Sequence, residues 1–207
     1  MRLSEKAYQI IKKKIVSLEL KPLAVIDEQV LMKELGLGRT PIREALHRLA
    51  HEGLVVIVPR RGIFVADISI TDLQKIFEVR LVLEGFCAQL AARRMTADQI
   101  AAMDALLQEL DEVPNGDVEA LMSIDERFHG LVYQAANNEF MADILNRLYT
   151  LSLRLWYLAL DHLGYVREAI EQHRAIAAAL KARDEEQAQA LIQQHIAQFQ
   201  QEIRAML

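Results

Sequence analysis

A single cysteine, Cys87, leaves the chain nothing to pair with, so no internal disulfide braces it and a reducing cytoplasm suits it. Nowhere do about 18 apolar residues run together without charge, so no membrane-spanning helix is expected. The opening stretch MRLSEKAYQIIKKKIVSLEL has neither an uninterrupted apolar core nor a small-residue cleavage site, so no secretory signal is read there. Proline occurs four times, and each falls where a helix stops, starts or turns: Pro22, Pro41, Pro59 and Pro114. There is no internal repeat or low-complexity segment, and no strand signal after Val65. What remains describes a globular chain, with 52% hydrophobic and 26% charged residues.

Positive charge is scarce in one part of the chain and not in the other. Residues 1–66 carry 12 Lys and Arg against 7 Asp and Glu, while residues 67–207 carry 12 against 22. A basic head on an acidic body points to a polyanion meeting the head alone.

Within the head, Tyr8, Ile11, Ile15 and Leu18 recur at helical spacing over residues 4–18, with Lys12, Lys13 and Lys14 around the remaining surface. Pro22 is expected to stop that helix. A second short helix is expected from Asp27 to Leu35-Gly36, where glycine is a natural C-terminal stop. In GLGRTPIREALHRLAHEGL, Thr40 reads as the N-cap and Pro41 as the first helical position, with Ile42, Leu46 and Leu49 as the buried stripe and Gly53 as the end. Arg43 and His47 lie one turn apart off that stripe, and Arg39 stands just before the cap. This is a helix-turn-helix whose second helix presents its first residues to a major groove. LVVIVPRRGIFVA then reads as strand, turn, strand, with Arg60, Arg61 and Gly62 at the tip as a wing for the phosphate backbone or minor groove.

These stretches, "LGLGRTPIREALHRLAHEGLV" followed by "PRRGIFV", resemble the winged helix-turn-helix of the GntR family of bacterial transcription regulators. The resemblance implies that Arg39 and Arg43 read bases, that Thr40 and its neighbours, Pro41 among them, hold phosphate, and that Gly62 enters the minor groove. Two departures stand out: Gly38 replaces a usual serine or threonine, and Leu23 replaces the glycine that usually follows the proline. Near the start of the second helix, some relatives have an arginine where this chain has Glu28-Gln29.

The body reads as six helices: 71–94, 97–111, 117–136, 139–160, 165–182 and 185–205. Capping boxes are expected at Thr71 to Gln74 and Thr96 to Gln99, a turn at Pro114-Asn115-Gly116, and breaks at Asn137-Asn138 and His162-Leu163-Gly164. Asp125 follows Leu121 by four residues, and Val132 and Ala136 follow His129 by three and seven, so both polar residues face inward. His173 lies between Ile170 and Ala177, and His195 lies four from both Leu191 and Phe199. An unpaired buried carboxylate costs several kcal/mol, so it must be paired or neutralised. One aspartate and three imidazoles on facing helices form a ligand set for a divalent metal: zinc, nickel, manganese or iron. The bland alternative is a hydrogen-bonded polar core.

"DLQKIFEVRLVLEGFCAQLAARR", "DERFHGLVYQAANN" and "EQHRAIAAALKARDEEQA", then His195, resemble in order and spacing the FCD ligand-binding domain of the FadR subfamily, in its shorter VanR-like, six-helix branch. Asp125, His129, His173 and His195 match its metal-binding positions. The expected fold is therefore mainly α: a winged helix-turn-helix over 1–66 and an antiparallel, all-α helical bundle of FCD type over 67–207. The resemblance implies a small carboxylate effector at or beside the metal, with Arg80 and Arg154 as candidate contacts; for each, a salt bridge is an equally good reading. The expected protein is a cytoplasmic homodimer on palindromic double-stranded operator DNA, most commonly a repressor, with no membrane partner. The alternatives are a metal-sensing repressor and a metalloenzyme. The latter needs a general base, and Glu126, beside Asp125, points about 100° away on a helix.

Overall fold

The computed structural model describes residues 2–114, 116–159 and 166–206. It groups the chain into two compact units, residues 1–73 with 150–158, and residues 74–149 with 159–207. Segment 150–158, which the sequence boundary at 66/67 leaves with the body, belongs to the first unit, where Leu151 packs against its apolar cluster.

In the first unit, α1 (Leu3–Val16), α2 (Glu28–Leu35) and α3 (Arg39–His51) precede the hairpin β1 (Val55–Val58) and β2 (Gly62–Val65). Ala7, Tyr8, Ile11, Ile15, Ile42, Leu46 and Leu49 form a dry cluster with Leu54 and Val65. Helix α1 ends well before Pro22: Leu18 turns to φ 61° and the Leu20 N–H reaches back to the Lys14 carbonyl. Helix α2 starts where its aspartate predicts, with Asp27 accepting from Gln29 and Val30, and stops at Gly36, φ 64°.

Helix α3 begins two residues earlier than expected. Its N-cap is Gly38, which offers no side-chain cap, and Thr40 and Pro41 lie inside the first turn. Proline fits there because first-turn N–H groups have no intrahelical acceptor. Val55 to Val58 pair antiparallel with Val65 to Gly62. The chain at 23–26 bridges β2 at Val25 and Phe64, a pairing that periodicity did not reveal, with Leu23 N–H to Val65 O and Ile26 N–H to Ile63 O on either side. Leu23, standing where the resemblance has glycine, adopts φ 64°.

The second unit is helical among its described residues. It comprises α4 (Ile70–Arg94) beyond residue 73, α5 (Ala97–Glu112), α6 (Val118–Ala135), α7 (Glu139–Ala159) up to Tyr149, α8 (Val166–Glu171), α9 (His173–Lys181) and α10 (Glu185–Met206). The expected box at Thr96 and Gln99 is present. At the start of α4 the hydroxyl that accepts is Ser69, bonded by the Asp72 N–H, rather than Thr71. The helix expected over 165–182 is two, divided at Gln172, whose backbone stays near helical angles while its side chain is engaged by α10. The break expected at His162-Leu163-Gly164 lies outside the described residues, as does Asn115 of the expected turn. No described helix is long and apolar enough to cross a membrane.

Candidate functional site

Helix α6 turns one face inward: Leu121, Asp125, Phe128, His129 and Val132 are all buried. His173 opens α9, and His195 lies on α10 between Ile192 and Phe199. The four ligand-type residues Asp125, His129, His173 and His195 converge, each offering one donor atom within 4.8 Å of the others. His173 Nε2 lies 3.3 Å from Asp125 Oδ1, and His129 Nε2 lies 3.8 Å from the same oxygen. Ligands at ~2.1 Å around one tetrahedral ion would stand roughly 3.4 Å apart, so the set would contract by up to about 1.4 Å to hold one.

The outer partners aim the rings. Glu84 Oε2 lies 3.0 Å from His129 Nδ1, and Gln172 Oε1 lies 3.0 Å from His195 Nδ1. The acceptor at His195 Nδ1 favours the tautomer that leaves its Nε2 lone pair for a metal, and the Glu84 carboxylate stands within ion-pair distance of His129. The Tyr149 hydroxyl donates to Asp125 Oδ2 at 2.6 Å, leaving Oδ1 toward the histidines. His173 stacks on Phe128, with centroids 4.0 Å apart and planes 1° from parallel. Both of its ring nitrogens are buried without a hydrogen-bond partner. An orphaned buried nitrogen is expensive in a purely hydrogen-bonded core, and a metal ion satisfies it.

Electrostatics keep the set ready for a cation. Burial, reinforced by His195 and His129, pushes His173 well below the usual imidazole range; burial and His129 bring His195 down to about 4. Both are neutral near pH 7, the form that ligates. Burial would raise the Glu84 carboxyl, but Arg80 and His129 overcome it and hold it at about 2. Burial and the Asp125 charge hold the Tyr149 phenol well above its ordinary value, so it remains a donor. Glu84, Tyr149 and Gln172 were not assigned to the site from sequence; only the Arg80 to Glu84 spacing and the adjacency of Gln172 to His173 hinted at them.

Arg80 lies one layer further out. Its Nε donates to Glu84 Oε1 at 2.6 Å and it is buried. Arg154 is not brought to this cluster. It belongs to the first unit, where its Nη2 donates to the Ala66 carbonyl at 2.6 Å and burial lowers it to about 10.

The residues read from sequence as DNA contacts lie along α3 and at the wing tip. Arg39, Thr40, Arg43 and His47 are exposed and Pro41 is half-buried; Arg60, Arg61 and Gly62 are exposed at the hairpin turn. The turn closes by Arg61 N–H to Val58 O, with Arg60 at φ 63° and Gly62 at φ 120°. A groove of about 300 Å³ runs between α3 and the wing, lined by Arg43, His47, Arg60, Gly62 and the Glu28 carboxylate among others. Arg43 is held by Glu28.

Residues 3–65 match the family model of bacterial regulatory proteins, gntR family, and residues 75–198 match that of the FCD domain. The HTH-type transcriptional repressor RspR of Escherichia coli is 26% identical over 202 residues, 97% of this chain and 89% of that protein. The Nta operon transcriptional regulator of Aminobacter aminovorans is 31% identical over 183 residues, 87% of this chain and 85% of that protein. Among solved structures, E. coli McbR/YncC has the same fold at a TM-score of 0.89 and 24% identity, covering 100% of this chain and 99% of that one. The metal-free FCD domain of TM0439 gives 0.53 at 20% identity, over 64% of this chain and 91% of that one.

Proposed function

Because the chain belongs to the gntR family of bacterial regulatory proteins and carries an FCD domain, we propose that it is a cytoplasmic, metabolite-responsive repressor that binds a palindromic operator as a homodimer. Residues 1–66 meet the DNA: Arg39 and Arg43 at base edges, Thr40 and Pro41 against phosphate, His47 further along α3, and Arg60, Arg61 and Gly62 from the wing. Residues 67–207 receive the signal and pair the subunits. An exposed apolar stripe on α4, Val79, Val82 and Phe86, supports the pairing. A twofold dimer on a twofold operator then follows from symmetry.

The observation that carries the signal-binding half is the buried Asp125, His129, His173 and His195 cluster with its orphaned His173 nitrogens. Those four residues would hold a divalent ion: zinc, nickel, manganese or iron. When bound, such an ion supplies a Lewis-acidic positive charge for a ligand oxygen. The buried charges among the described residues of this unit are Arg80, Glu84 and Asp125, one positive and two negative. With the ligating imidazoles neutral, a divalent ion changes that balance from one negative to one positive. A singly charged carboxylate restores neutrality, which supports a small carboxylate effector. Arg80 is the side chain poised to shift its grip from Glu84 to such a ligand. The effector changes DNA affinity only by its difference in affinity for the DNA-competent and DNA-incompetent forms, typically about 1–3 kcal/mol.

The test is elemental analysis of untagged protein beside His173→Ala, followed by a thermal-shift screen of small carboxylates on metal-loaded protein. About one ion per chain, lost in the variant, and a carboxylate that raises Tm and loosens DNA are expected. No ion after incubation with each metal overturns the metal assignment. DNA affinity that responds to the metal alone, with no carboxylate acting, replaces the effector reading by metal sensing.

A further inference from the structure

Glu28 is the first residue of α2, and its carboxylate grips one edge of Arg43 on α3: Nε to Oε1 at 2.6 Å and Nη2 to Oε2 at 3.2 Å. A guanidinium carries five N–H donors in a fixed fork. This grip occupies the side edge and leaves free the end edge, formed by Nη1–H and the second Nη2–H. Two parallel donors of that kind match the O6 and N7 acceptors of guanine. The pair is open to water, with side chains 55% and 23% exposed, so it contributes little to stability. Arg39, at the start of α3, also acts on Glu28 and helps keep its carboxyl below the usual range, after the larger effect of Arg43.

The carboxylate also lines the groove between α3 and the wing. A negative charge on a surface that meets phosphates weakens binding to every DNA sequence alike. Its benefit must therefore lie in selectivity. An unheld arginine on an exposed helix face samples many rotamers and can reach phosphates or several base edges, whereas a held one presents a single edge.

We infer that Glu28 is a positioning residue for DNA readout: it fixes Arg43 so that the free end of its guanidinium meets one guanine, raising discrimination at that base pair while lowering affinity for DNA at large. This rests on the reading of α3 as the base-reading helix.

The test uses the full chain and a duplex that the wild type selects from a randomised pool. Affinities are measured for that duplex, for versions with each base pair replaced singly, and for an unrelated duplex, at two salt concentrations. Glu28→Ala is expected to bind the unrelated duplex several-fold more tightly and to lose about tenfold discrimination at one G·C pair. Arg43→Lys should lose discrimination at that same pair, and the double variant should lose no more. Glu28→Gln, which keeps an acceptor oxygen without the charge and preserves the helix start, should retain part of it. Equal changes on all duplexes, or lost discrimination at a different pair, overturn the inference. A wild type that selects no duplex overturns the DNA reading itself, and this inference with it.

Discussion

The buried cluster of the first unit, from Ala7 to Val65, is made of apolar side chains and one tyrosine, whose hydroxyl reaches Glu52 at its edge. The arginines of α3 and the wing stand outside it, and the one buried arginine among the unit's described residues, Arg154, is met by the Ala66 carbonyl. The second unit reverses this, enclosing Arg80, Glu84, Asp125 and three histidines. In the first, the side chains read as DNA contacts can be changed without disturbing what holds the unit together. In the second, the candidate site lies within the core, so a change to the site is also a change to stability. A core that exposed its polar residues would not need neighbours such as Glu84, Tyr149 and Gln172 to satisfy them.

The largest expected effect tests that coupling. Glu84→Ala leaves the Arg80 guanidinium buried without its carboxylate and His129 without its Nδ1 partner. Breaking a buried pair on one side costs about 3–5 kcal/mol, so thermal melting should fall by roughly 10 °C. Arg43→Ala, by comparison, should leave Tm nearly unchanged. If Glu84→Ala melts like the wild type, the contrast between the two cores fails.

Acid sharpens the same contrast. His173 and His195 are held neutral below the unfolded value of about 6.5. The unfolded chain therefore takes up protons first on acidification. Their contribution is complete above about pH 6.5 and is lost as pH falls toward 4. Glu84, at about 2 against an ordinary 4.5, adds a second loss below about pH 4.5. Melting of metal-free protein between pH 7 and 4 should show the first decline, and His173→Leu combined with His195→Leu should flatten it. An unchanged slope in that variant places the acid sensitivity elsewhere.

The smallest effect concerns the head. Gly38 caps α3 without a side chain, has ordinary angles, and an added Cβ meets nothing nearer than Pro41 Cδ at 4.0 Å. Gly38→Ser should add a few tenths of a kcal/mol of capping, roughly 1 °C in Tm. It should also strengthen operator binding by about threefold through a phosphate contact. Weaker binding would show that the residue before Arg39 does not approach the backbone of the DNA.

Much of this was legible because it depends on local rules. Asp27 and Gly36 bracket α2, Thr96 caps α5, and the spacing of Asp125 and His129 from apolar neighbours sets their face. The relation between elements was not. That Tyr149 would reach Asp125, or Gln172 reach His195, depends on the rotation of packed helices, which periodicity leaves open. The same limit hid the target of Arg154, a backbone carbonyl at residue 66 rather than a ligand. The interruption at Gln172 had no glycine or proline to announce it, and the bridge at Val25 took its partner, Phe64, from about forty positions away.

The four candidate ligand residues come from α6, α9 and α10, and the span from Asp125 to His195 holds about half of the second unit. Bringing them together closes loops of tens of residues, a contact whose entropic cost grows with the logarithm of the separation. Such long-range contacts form late in folding, after the local helices. An ion that needs all four residues therefore cannot be held by a half-made bundle. Tight metal uptake, under the proposed function, would then be a folding clock, marking the moment at which the last helix has docked.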